Sequence, residues 1–201
     1  MIESSEMSTK ERLLEAATGL FASKGYAATS VADIQLACGL TGGSGALYKH
    51  FRSKRALLEA IVDRHVATMA GGGERFLAEL PDDPRQALRL MVTAVWTGID
   101  RDREPLRVLL RDLDPFPDLL ERMWRGVLGF VYGGLTSWVV GECERGRLTV
   151  ADPAATSAVL FASLTYYRLL DVLIGRVPGD IDPERFADAW VDHAAVVLGV
   201  P

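Results

Sequence analysis

The chain has 201 residues, 49% hydrophobic and 24% charged, with a formal net charge of −5. That balance is ordinary for a soluble globular protein and excludes one that coats nucleic acid over its whole surface. No apolar run approaches the roughly 20 residues of a membrane span. The start MIESSEMSTKERLLEAA lacks the pattern of a secretory leader, and the two cysteines, Cys38 and Cys143, form no metal or redox motif. The expectation is a reduced, cytoplasmic protein without membrane attachment.

Helical periodicity runs almost throughout. Ser8 or Thr9 caps a first helix in which Leu13, Ala16, Ala17, Leu20 and Phe21 make one apolar face, and Gly25 ends it. Thr29 and Ser30 open a short second helix, with Val31, Ile34 and either Leu36 or Ala37 facing inward. Gly39 breaks it, Leu40 plugs the turn, and a third helix carries Ala46, Leu47, Tyr48 and Phe51. Ser53 caps a fourth, with Leu57, Leu58, Ile61, Val62 and His65 in its body, and Gly71-Gly72-Gly73 is expected to end or kink it.

Five further helices are expected at about 84–101, 104–113, 116–146, 152–175 and 183–199, with Asp152-Pro153 and Asp182-Pro183 as N-cap and first-turn proline. The fold class is therefore all-α. Residues 1–55 form a three-helix DNA-binding domain, and 56–201 a larger helical domain for ligand binding and dimerisation.

Helix, short helix, tight turn and third helix make a helix-turn-helix, in which the last helix enters the major groove. Gly39 suits a turn with no room for a Cβ and a positive φ. Charge agrees: from Ser8 to Leu58, seven Lys and Arg stand against three acids, a basic head on an acidic body.

These residues resemble the DNA-binding head of the TetR (tetracycline-repressor-like) family. The resemblance rests on Gly25-Tyr26, Thr29-Ser30, Asp33-Ile34, Gly39-Leu40-Thr41, Gly45-Ala46-Leu47-Tyr48-Lys49-His50-Phe51 and Ser53-Lys54-Arg55-Ala56-Leu57, and spans about residues 8–60. It departs from the family pattern in two ways. Gln35 and Cys38 stand where the family usually has Ala. Gly39 also lies farther from Tyr48 than usual, as if Gly42-Gly43 were inserted.

The resemblance implies that Thr29, Tyr48 and Lys54 hold phosphates, with Lys49 and His50 at or near the DNA backbone. Thr41, Ser44 and Gly45 fall at the front of the recognition helix, and Ala46 is placed to meet a thymine methyl. Between Gly39 and Tyr48 there is no Asn, Gln or Arg. Affinity is therefore expected to lean on phosphates and DNA shape more than on base edges. Phe51 reads as core, and Cys38 as a small buried hydrophobe.

The resemblance also implies a body that binds a small effector and forms a homodimer on a double-stranded operator, with repression as the family's default. Trp96, Trp124 and Phe130 are candidate walls of an apolar pocket, though each reads equally as core. Phe186, Trp190, His193 and Val197, with Leu164 and Tyr167, form a stripe that packs either on the body or on a second subunit. The glycines at 126, 129, 133, 134 and 141 imply close packing, a kink or ligand space.

Two rival functions stand beside this reading. For an enzyme there is no support: the chain shows no Cys/His ligand cluster, no phosphate loop and no nucleophile elbow, and no cofactor or metal is expected. The other rival is a helical ligand- or partner-binding protein that has lost operator binding.

Overall fold

A computed structural model describes residues 7–43 and 45–200, with residues 72–74 described by their backbone alone. Every regular element among the described residues is helical. The nine α-helices are α1 Thr9–Lys24, α2 Val31–Ala37, α3 Lys54–Ala78, α4 Pro84–Arg101, α5 Arg103–Asp112, α6 Pro117–Met123, α7 Gly129–Glu144, α8 Pro153–Ile174 and α9 Pro183–Val197. Caps explain where they start. Ser8 with Glu11, and Ser30 with Asp33, form capping boxes at α1 and α2. Asp83, Asp152 and Asp182 cap α4, α8 and α9, each followed by a proline that loses no bond in the first turn.

The chain forms two compact units. One runs through Ala67 and takes in Glu104–Met123; the other comprises Thr68–Arg103 and the residues from Trp124 onward. The expected functional boundary at 55/56 falls at the start of α3, whereas the units divide within that helix, and the head unit recruits a later segment of chain.

In the head, Leu13, Ala17 and Phe21 of α1 pack with Ile34, Leu47, Phe51, Leu57, Leu58 and Ile61, all buried. The recruited segment fastens the corner after α1. Arg111 donates to the carbonyls of Phe21 and Ala22, supplying the free C-terminal carbonyls of α1 with a cationic donor. Asp112 accepts the Tyr26 N–H at 3.0 Å. The Tyr26 ring lies edge-on to both Phe21 and Phe116, at 5.2 and 5.1 Å. Arg55 pairs with Asp118 at 2.5 Å, and Arg122 with Asp63 at 2.7 Å.

In the body, Leu88, Met91 and Val92 of α4 meet Val139 of α7, Leu160 and Leu164 of α8, and Trp190 and Ala194 of α9. By length and composition α8 meets the requirement of a membrane span, contrary to the expectation from uninterrupted apolar runs. A helix-wide average tolerates the polar residues that break such a run. Here the inward face of α8, with Leu160, Leu164 and Tyr167, is buried in the body core.

Three expectations are corrected. Gly71–Gly73 neither ends nor kinks a helix, since α3 runs on to Ala78. Beyond the glycines, Phe76 packs on the body core, and that burial offsets a helix cost of up to about 1 kcal/mol per glycine. In α2 the inward residues are Ile34 and Gln35, while Leu36 and Ala37 are exposed. The expected helix at 116–146 is present as α6 and α7, joined by a π-helical turn at Trp124–Leu128.

Candidate nucleic-acid interface

The third helix expected in the head shrinks to a single 3-10 turn, Ala46–Lys49. The cause lies in the glycines before it. Gly43 and Gly45 have φ of +77° and +68°, values that continue no right-handed helix. Gly39, with φ +72°, makes the sharp exit from α2, although a Cβ there would meet nothing within 4 Å. Its requirement is therefore torsional rather than the crowding first expected.

Leu47, fully buried, pins the 3-10 turn to the head core, and Phe51 follows it inward. That anchoring throws Tyr48, Lys49 and His50 outward on one short edge, with Tyr48 57% exposed. Thr41, Gly42 and Gly43 are exposed beside them, whereas Gly45 and Ala46 are half-buried. Ser44 lies outside the described residues. Arg52, almost wholly exposed, adds a further cation next to His50, only loosely paired with Glu59 at 3.8 Å.

Two residues expected to hold phosphates are engaged inside the protein. Thr29 is buried, and its hydroxyl donates to the Gly25 carbonyl at 2.8 Å. Lys54 donates to the carbonyls of Tyr26 and Thr29, at 2.8 and 2.9 Å, with its ammonium 4.2 Å from the centre of the Tyr26 ring. Both hold the chain between α1 and α2; neither presents a free group as expected. Cys38 is half-buried, and its thiol donates to the Arg12 carbonyl. Burial raises its pKa above the usual 9.0, away from thiolate reactivity.

The body encloses an apolar cavity of about 400 Å³, reached by Met69 and Phe76 of α3, Met91 and Val95 of α4, Phe130 of α7 and Phe161 of α8. Of the expected walls, only Phe130 lines it. Trp96 instead stacks on Tyr167 at 5.4 Å and donates to the Leu164 carbonyl, while Trp124 is 56% exposed. The side chains that sequence reasoning missed lie on α3, beyond the three glycines where that helix was expected to stop. Among the described lining residues only Arg101 is charged, and Asp102 already pairs with it at 3.0 Å.

The residues expected at a subunit interface divide in two. Leu164, Tyr167 and Trp190 are buried in the body's own core; the Tyr167 hydroxyl donates to the Ile181 carbonyl and the Trp190 indole to Ser163. Phe186 is half-buried and stacks on Tyr167 at 3.9 Å. His193 and Val197 are exposed, and beside them lie the exposed Val159 and Tyr166 of α8 and Val196 of α9. The heptad-like stripe of the sequence is thus mostly the inward face, and the solvent face lies one step around each helix.

A helix-turn-helix head with an outward Tyr-Lys-His edge, in front of a helical body, defines a DNA-binding transcriptional regulator. Residues 13–61 match the description "Bacterial regulatory proteins, tetR family". The HTH-type transcriptional regulator TtgR of Pseudomonas putida is 27% identical, over 94% of this chain and 91% of its own. The uncharacterized HTH-type transcriptional regulator YerO of Bacillus subtilis is 31% identical over 54% of this chain, which spans only 37% of YerO. The solved structure of the TetR-family transcriptional regulator PfmR from Thermus thermophilus is similar with a TM-score of 0.65 and 27% identity, covering 94% of this chain and 98% of its own. The chain belongs to the tetR family.

Proposed function

We propose that the protein is a cytoplasmic, homodimeric repressor that leaves a palindromic operator when a small, largely apolar effector enters the body. The observation that carries the effector reading is the apolar cavity of about 400 Å³, a size suited to one drug-sized ligand. Since Arg101 is already neutralised by Asp102, a neutral aromatic or aliphatic molecule fits better than an anion. Such a ligand acts by population shift, binding more tightly to a conformation whose heads are wrongly spaced for the duplex.

Dimerisation is assigned to the exposed face of α8 and α9, with Val159, Tyr166, His193, Val196 and Val197 at its centre. Two heads are needed because half-sites repeat with the turn of the duplex. On the DNA side, Tyr48, Lys49 and His50 form the contact edge, with Thr41, Gly45, Ala46 and the undescribed Ser44 beside it.

The test is selection of bound duplexes from a random library by the purified protein at stated salt. Recovery of a palindrome, its loss on Tyr48→Ala and its release by an apolar ligand that raises the melting temperature support the reading. Because the edge is rich in backbone-binding groups, affinity should fall steeply with salt, and a flat dependence would contradict the phosphate-led contact.

A second reading is favoured by one observation, the contraction of the recognition helix to four residues. In that reading the body still binds its ligand while no operator exists. A folded dimer that enriches no duplex yet binds an apolar ligand selects it.

A further inference from the structure

Gln35 is 1% exposed, an unusual burial for a side-chain amide on a short surface helix. Two bonds account for its place. Its main-chain carbonyl accepts the Leu40 N–H at 2.9 Å. Its side-chain oxygen accepts the Gly43 N–H at 3.0 Å. One residue of α2 therefore grips both ends of the segment from Leu40 to Gly43.

That grip matters because little else organises the segment. It has no helical ladder, and Gly43 and Gly45 both carry positive φ, so their backbones have more freedom than any other residue type would allow. Leu36 supplies one further contact: a Cβ on Gly42 would lie 3.5 Å from its side chain. The segment leads through Gly45 into the 3-10 turn that presents Tyr48, Lys49 and His50. The two departures noted in the sequence, Gln35 and the additional Gly42-Gly43, thus meet in one hydrogen bond.

We propose that Gln35 is the positioning residue of the DNA-reading turn, fixing Gly43 and through it the placement of the contact edge. Being buried, it cannot touch DNA itself. Its influence is on which duplex is chosen, exercised by holding one arrangement of an otherwise permissive loop. This rests on the operator-binding reading above.

The experiment uses the full-length protein. Gln35→Met keeps the length and packing of the side chain and removes the acceptor. The expected result is about a tenfold loss in the ratio of operator to random-duplex affinity, the size of one lost base discrimination, with random-duplex affinity essentially unchanged. A purely structural role would lower both affinities together through loss of folded protein. A wild-type ratio in Gln35→Met overturns the proposal and leaves operator binding intact, whereas a wild-type protein that selects no duplex overturns both. Should Gln35→Met fail to fold, hydrogen exchange in the unaltered protein decides: the Gly43 amide is expected to be protected, and exchange at the free-chain rate overturns the grip.

Discussion

Lys54 shows what a motif does and does not reveal about a single residue. Its identity and position were legible, but nothing in a sequence says whether an ammonium points at a phosphate or back at a carbonyl. Here it holds the Tyr26 and Thr29 carbonyls and stacks on Tyr26. Hydrogen bonds to a charged donor are worth about 1.5–3 kcal/mol each, less where partly solvated, so Lys54→Met is expected to cost about 2 kcal/mol of stability. A urea midpoint within error of the parent protein would refute that role. Glu142 is the complementary case, a buried carboxylate that periodicity gave no reason to notice. Hydrogen bonds from Arg147, then the charges of Arg147 and Arg145, hold its pKa below the ordinary 4.5 despite burial. The folded state thus binds a proton less readily than the unfolded chain. The resulting stability is present above pH 4.5 and is lost as pH falls through the depressed value. Glu142→Gln should flatten that acid limb in denaturation curves taken from pH 5 downward.

Among elements, helix starts were readable to within a residue because they are made by local chemistry: a hydroxyl or carboxylate facing free N–H groups. Ser30→Ala, at the head of the seven-residue α2, should therefore cost about 1 kcal/mol, seen as faster amide exchange in that helix. Continuity was harder to read, because it is decided by distant partners. The same residue type ended a helix at Gly42–Gly45 and failed to end one at Gly71–Gly73. The first stretch has positive φ and a competing side-chain acceptor in Gln35, while the second is followed by Phe76 and Leu77, which have a body to pack on. A Cβ at Gly71 would meet nothing within 4 Å, so Gly71→Ala should raise stability, by up to about 1 kcal/mol, since it relieves only the entropic cost of glycine in a helix. A lower melting temperature for that variant would mean that the glycine serves a conformational change rather than the resting fold.

At the scale of the molecule, the class of fold was legible from punctuation and periodicity, but the allocation of apolar faces was not. A stripe on α9 satisfies a partner subunit and a body core equally well on paper. Burial separates them, sending Trp190 and Ala194 inward and leaving Val196, 76% exposed, outward. The dimer proposal therefore moves to the outward set. Tyr166→Glu with Val196→Arg should yield monomers by sedimentation and abolish tight operator binding, with little effect on monomer folding. A dimer unaffected by that pair of charges would place the interface elsewhere. The cavity follows the same logic: its lining comes from four or more helices at once, an association invisible to any one periodic pattern.

The head unit is discontinuous, closed by Arg111, Asp112, Phe116 and Asp118 from a stretch that lies well beyond the matched family segment. Recombination therefore cannot trade this reading head as a cassette. A chimaera that joins the chain up to Ala67 to a foreign body leaves the Phe21 and Ala22 carbonyls and the Tyr26 N–H without their partners unless residues 104–123 travel with it. Operator preference in this lineage is thus free to drift by point substitution in the turn, while wholesale exchange of heads between cousins is penalised at the seam.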